Sequence, residues 1–153
     1  MYIRIARSDE LLTVSRITRT TISEVYPKYY PAGAVAFFLR HHSDKRIAAD
    51  IAAGNVYLLE DETGIAVGTV TVSGNEMCRL FVLPAHQKKG FGRMLIDYAE
   101  QLISEKYDCI VLDASLPAKA IYLKRGYIST EYHCIAAENS DMLCYDVMIK
   151  RLP

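Results

Sequence analysis

Hydrophobic and polar positions in this chain follow two periods, one of two residues and one near 3.6, and the order in which they alternate predicts its elements. Residues 2–6 alternate as a strand does. Ser8 or Asp9 then offers an N-cap for a helix with an acidic start, whose core-facing residues are Leu11, Leu12, Val14, Ile17, Ile22 and Val25. Residues 26–31, Tyr-Pro-Lys-Tyr-Tyr-Pro, break that helix with two prolines and gather three tyrosines. Two further helices are predicted over 32–42, with Val35, Phe38 and Leu39 on one face, and 43–53, capped by Ser43 and closed by Gly54.

From residue 55 the period changes to that of strands. Residues 55–60, 65–72 and 76–82 form an antiparallel meander, with turns at 61–64 and 73–75. Residues 91–103 return to helical spacing, with Met94, Leu95, Tyr98, Ala99, Leu102 and Ile103 on one face. Residues 109–114 are almost wholly apolar and read as a strand buried on both faces. A strand, helix, strand passage of this kind implies that the Leu80 and Leu112 strands pair in parallel. Pro117 suits the first turn of a helix ending at Gly126, and two strands over 127–136 and 142–149 close the chain.

The stretch from Leu80 to Gly92 organises the rest, because an apolar strand stops at Pro84, turns through a basic glycine loop and opens a helix. The first amides of a helix have no carbonyl partner and carry the positive end of its dipole. Gly90 and Gly92 remove the Cβ atoms that would keep an anion from those amides, while Lys88, Lys89 and Arg93 add full charges. The loop is therefore an expected phosphate site. Neither G-x-x-x-x-G-K-[ST] nor G-x-G-x-x-G is present, which argues against a P-loop or dinucleotide domain.

Composition narrows the class. A chain of 153 residues, 51% hydrophobic and 24% charged, reads as one globular domain over 1–153. Its 18 basic and 18 acidic residues balance, so no overall field draws it to nucleic acid or an anionic membrane. No apolar run has signal-peptide or membrane-span length, which makes a cytoplasmic protein the expectation. The four cysteines, Cys78, Cys109, Cys134 and Cys144, show no metal-site spacing and are expected to be reduced, mostly buried strand thiols. No metal is expected.

Leu80-x-Val82-x-Pro84-x-x-Gln87-x-x-Gly90-x-Gly92 resembles the acetyl-CoA signature of the GNAT superfamily of N-acetyltransferases. The Asp113-Ala114 strand end and Ala118-x-x-x-Tyr122-x-x-x-Gly126-Tyr127 resemble that family's later motifs, and the element order matches across the chain. The resemblance implies an α/β (α+β) GNAT fold, with a mixed, mostly antiparallel sheet of about seven strands splayed between the fourth and fifth. It implies acetyl-CoA as co-substrate, its pyrophosphate on Gln87, Lys88, Lys89, Gly90, Phe91, Gly92 and Arg93. Its pantetheine arm would lie along Leu80, Phe81 and Val82, with Ser115 and Ala118 beside it. Many members carry asparagine where this chain has Ser115.

The reaction implied is transfer of acetyl to a primary amine of a small molecule or peptide by direct attack in a ternary complex. A non-catalytic acyl-CoA-binding regulatory module is the alternative, and a homodimer is compatible with either. The N–H of Phe81 or Val82 would stabilise the oxyanion, and Tyr122 would protonate the departing thiolate. A lysine-like amine is neutral in only about one molecule in two thousand at pH 7, so a base is needed. Glu76, which alternation places on the face of Leu80 and Val82, is the first choice, with Glu24 or a water chain as alternatives. An acyl-carrying Cys78 or Cys109 is disfavoured, since neither sits at a helix N-terminus. The insert residues Tyr26, Tyr29, Tyr30, Phe37, Phe38, His41 and His42 would cover the acceptor side, half or more of them as core or subunit contacts.

Overall fold

The computed structural model describes residues 1–153. Seven strands form one sheet: β1 (Tyr2–Ile5), β2 (Val56–Glu60), β3 (Ala66–Ser73), β4 (Glu76–Val82), β5 (Cys109–Ala114), β6 (Ile128–Ala136) and β7 (Met142–Arg151). Their order is β1-β2-β3-β4-β5-β7-β6, antiparallel throughout except where β4 meets β5. The helices are α1 (Leu11–Val25), α2 (Ala32–His41), α3 (Asp44–Ala52), α4 (Phe91–Ser104) and α5 (Leu116–Lys124). α1 and α3 bury residues against one face around Ile17, Ile47 and Leu58. α4 covers the other, where Leu95, Ala99 and Ile103 pack against Val70, Ile110 and Leu112.

The apolar spacing makes α1 as expected, since Val14, Ile17, Thr18, Thr21 and Ile22 form one buried stripe. Its start differs from the expectation. Helix α1 begins at Leu11 with Glu10 as the preceding residue, not with Ser8 or Asp9 as cap. The Glu10 carboxylate closes the preceding turn on the Arg7 N–H at 2.7 Å and takes two bonds from Arg4, which holds its pKa down at about 2. Leu12 falls outside the stripe and is exposed. β5 also differs, because only Ile110, Leu112 and Ala114 are buried, and Asp113 on the opposite face is exposed. Its neighbour β4 leaves it after one paired position, Glu76 with Val111, so the second face opens into a cleft.

The cysteines correct a second expectation. Cys134 and Cys144 form a disulfide, and none of the four is fully buried. β6 and β7 pair in a register that sets these two residues directly opposite, with Cα atoms 4.3 Å apart, within disulfide reach. Cysteine spacing alone carries no such register.

Helix α2 is clasped by the turn between β6 and β7. Pro31, at its N-cap, has no side chain able to cap, and the Asp141 carboxylate accepts the Gly33 N–H instead, at 2.8 Å. Arg40 pairs with Glu138 of the same turn. Gly33 permits this approach, since a Cβ there would lie 2.0 Å from the Glu138 carbonyl oxygen. Gly33→Ala is therefore expected to lower stability by about 1–3 kcal/mol, the usual cost of overpacking. That outweighs the gain of up to about 1 kcal/mol from alanine's helix propensity. A thermal melt checks it, with a midpoint several degrees lower expected.

Candidate active site

The separation of β4 from β5 builds the site. Beyond Glu76, the edge of β4 that faces β5 has no strand partner, so the backbone of residues 78–82 is open to an extended ligand. Leu83 N–H is spent on the Val67 carbonyl at 2.9 Å, and backbone direction alternates along a strand, so the Val82 N–H points to the open edge. A cleft of about 220 Å³ lies at this opening and gathers Glu76, Leu80, Phe81, Asp113, Ser115, Ala118 and Tyr122. Its far wall comes from Phe37, Phe38, His41 and His42 in the insert and from Ile135, Leu143 and Tyr145 in β6 and β7.

A bulge sets which β4 side chains enter. Arg79 has φ +47°, and the register with β3 shifts at that point. The extra residue inverts the alternation, so Met77, Leu80 and Val82 pack towards α4 while Phe81 and Leu83 pack towards α1. Glu76 and Cys78 thus share the face of Phe81, not that of Leu80 and Val82 as simple alternation requires. The buried Arg79 guanidinium holds the bulge, donating to Asp50 Oδ2 at 2.7 Å and Thr71 Oγ1 at 3.1 Å.

The titrating groups of the cleft have distinct states. Partial burial, then the charges of Asp113 and Asp50, raise the Glu76 pKa above the usual carboxylate value. Asp113 is raised likewise, because the cleft walls strip it of part of its water although its surface is largely accessible. Burial, with Arg79 second, lowers His42 to about 3, so its imidazole is neutral, and it stands edge-on to Phe81 with ring centres 5.6 Å apart. Burial pushes the Cys78 thiol up to about 12, which leaves almost no thiolate near neutral pH. Cys109 lies outside the cleft lining and accepts a bond from Asn75. Tyr122 is buried against Tyr127, and burial raises its pKa well above that of a free phenol. Its hydroxyl has no partner within the chain and is not sealed from the cleft. Glu24 is exposed and does not line the cleft.

The glycine loop lies apart from this cleft lining. Lys88 and Gly90 take positive φ, 61° and 88°, and α4 opens at Phe91 with Gly90 as its N-cap. A Cβ at Gly90 or Gly92 would meet nothing within 4 Å, so the helix N-terminus is uncovered. Lys88 and Lys89 are exposed, and Arg93 makes only a 3.7 Å pair with Asp97. Gln87 and Phe91 face inward: Gln87 Nε2 donates to the Val82 carbonyl at 3.0 Å, and the Phe91 ring joins the core. Gln87 thus ties loop to strand, and the anion-facing donors are the amides and the cations.

The whole chain bears comparison with known proteins. A family model described as an acetyltransferase (GNAT) domain matches residues 25–141. The chain belongs to this GNAT family. A GCN5-related N-acetyltransferase from Rhodopseudomonas palustris superposes with a TM-score of 0.88 at 21% identity, covering 99% of this chain and 95% of that one. The PaiA N-acetyltransferase from Thermoplasma acidophilum, solved with coenzyme A, gives 0.74 at 18% identity over 98% of both chains. A GNAT superfamily phosphinothricin acetyltransferase from Sinorhizobium meliloti, solved with acetyl-CoA, gives 0.74 at 16% identity, covering 99% of this chain and 88% of that one. These likenesses concern the fold. A comparison with curated proteins finds no match. No helix of this GNAT chain is long and apolar enough to cross a membrane.

The residues present suit coenzyme A chemically. Uncovered amides and three cations fit phosphates, an unpaired strand edge fits an amide-bearing arm, and the cleft beside Tyr122 fits a thioester. Sequence reasoning missed Arg79 and the β6–β7 residues Ile135, Leu143 and Tyr145. Arg79 carried no turn signal, being neither glycine nor asparagine, and the β7 residues reach the cleft only because β7 lies next to β5.

Proposed function

We propose that this protein transfers an acetyl group from acetyl-CoA to a primary amine, of a small molecule or a peptide, by direct attack in a ternary complex. One juxtaposition carries the reading: an unpaired β4 edge, the unbonded Tyr122 hydroxyl and the carboxylate of Glu76 converge on one cleft. Lys88, Lys89, Arg93 and the amides at Gly90 and Gly92 hold the phosphates. Gln87 fixes that loop, while Leu80 to Val82, Ser115 and Ala118 align the arm. The Val82 N–H stabilises the developing oxyanion, a role in which one donor is worth about 2.7–4 kcal/mol. Tyr122 gives its proton to the thiolate, and Glu76 receives the amine's proton. The high Cys78 pKa supports direct attack over a cysteine-bound acyl group.

Incubation with acetyl-CoA and a panel of amines and peptides, followed by free thiol, tests this. Release of CoA above the no-acceptor rate, with a product heavier by one acetyl group, is the expected result. Release with no member of the panel counts against the reading.

The pH dependence follows from the Glu76 shift. A base must be deprotonated, and its pKa is raised, so activity is lost as pH falls through that raised value. The acid limb of kcat/KM is therefore expected above the ordinary carboxylate range, and Glu76→Gln removes it. Asp113→Asn deletes a neighbouring negative charge and moves the limb to lower pH. A pH profile of the three proteins checks both.

A further inference from the structure

Two of the three tyrosines in the break between α1 and α2 are buried, Tyr26 and Tyr30, each 6% exposed. Their ring centres lie 5.6 Å apart, and Phe38 packs on both, 4.8 Å from Tyr26 and 5.1 Å from Tyr30. The transfer chemistry above uses neither.

Helix α5 is weakly anchored by packing. It has nine residues, Tyr122 alone is buried, and Leu116, Ile121 and Leu123 are exposed. A helix that short has little stability of its own, so polar contacts decide where it sits. Lys119 pairs with Asp146 of β7 at 2.8 Å, and Arg125, just past its end, pairs with Glu100 of α4 at 3.0 Å. The N-terminus is held differently. Ser115, at the N-cap, has φ −67° and ψ 158°, suitable for capping, yet its side chain makes no capping bond. It lies against Tyr26 instead. The orphan Leu116 N–H goes to Tyr30, whose hydroxyl accepts it at 2.7 Å and donates to the Cys144 carbonyl at 3.2 Å. One phenol thus joins the insert, α5 and β7 across separations of 86 and 114 residues.

We propose that Tyr30 is a positioning residue that sets the N-terminus of α5 against the insert and β7, and so places the Tyr122 hydroxyl six residues further along that helix. This rests on the acyl-transfer reading of Tyr122. A phenol bonded on both sides, with its ring gripped by two aromatic neighbours, is a stiffer cap than a serine hydroxyl. It also fixes α5 to the structure that forms the acceptor wall. Six residues correspond to a rise of about 9 Å, so a small tilt at Leu116 is carried to the reacting atoms.

Tyr30→Phe keeps the ring and deletes only the hydroxyl. Expected is a fall in kcat of about tenfold to a hundredfold, the scale of an ångström-level misplacement, with KM for acetyl-CoA changed less than about twofold. Amide exchange at Leu116 accelerates about tenfold or more through local opening, and because the bond is lost from the native state alone, the unfolding midpoint falls by only a few degrees. Because Tyr30 acts through Tyr122, the double variant with Tyr122→Phe is no slower than Tyr122→Phe alone. A purely structural loss would instead add. Wild-type kcat in Tyr30→Phe, additive losses, or unchanged exchange at Leu116 each overturn the proposal. If the wild-type protein acetylates no amine, the functional reading fails separately, and exchange at Leu116 alone then decides whether Tyr30 holds the helix.

Discussion

Tyr122→Phe is expected to lower kcat by about 10²–10⁴-fold, the range for loss of one general acid, while leaving KM for acetyl-CoA nearly unchanged. The size follows from the proposed reaction, in which the leaving group departs as a thiolate and Tyr122 is the donor. Stability should hold, because phenylalanine keeps the ring 5.3 Å from Tyr127 and the deleted hydroxyl had no partner within the chain. Burial raises the phenol's pKa above its ordinary value of 10.0, so Tyr122 stays protonated through neutral pH and contributes no basic limb there. Steady-state kinetics and a thermal melt of the variant check both parts. An unchanged kcat would remove Tyr122 from the chemistry.

Gly92→Glu should separate folding from cofactor binding, with effects of opposite sign. A Cβ at Gly92 meets nothing within 4 Å, and its φ is not positive, so the chain itself accepts a side chain there. Removing glycine from a helix gains up to about 1 kcal/mol, and a carboxylate in the first turn adds about 0.3–1 kcal/mol. The apo protein is thus expected to be slightly more stable. The same carboxylate stands where the proposed function brings phosphates to the amides of α4. Losing two or three helix-end contacts of about 1 kcal/mol each, plus repulsion, weakens acetyl-CoA binding on the order of a hundredfold. Calorimetric titration with CoA and a melt of the apo protein give the two readings. Wild-type affinity in this variant would place the phosphates elsewhere.

The residues differ in how far they could be read beforehand. The glycine loop was legible because an apolar strand, a proline, two glycines and an apolar helix stripe are consecutive in the chain. Tyr122 stood out only through a resemblance, since a tyrosine on a short helix has no local signature of the acid role proposed for it. The face of Glu76 was misread for a definite reason. Alternation has a period of two only while the strand is regular, and Arg79 adds one residue held by an ion pair to Asp50, 29 positions away. The N-terminus of α1 moved for a similar reason, because the Glu10 carboxylate, held by Arg4 and the Arg7 N–H, closes a turn that contains Ser8 and Asp9, and the helix starts only after it.

By itself the sequence determined the elements, their order, the glycine loop that opens α4 and the family resemblance. All of these depend on residues a few positions apart, where propensity, periodicity and helix-end electrostatics act. Tertiary structure alone decided the inverted face of Glu76, the Cys134–Cys144 bridge, the clasp of Asp141 on Gly33 and the bond from the Leu116 amide to Tyr30. Each of these depends on register or on the meeting of segments whose approach no local pattern encodes. Helix ends and strand edges must find partners, and in this fold several find them far along the chain, where packing of the whole sheet and its two helical layers determines who is near.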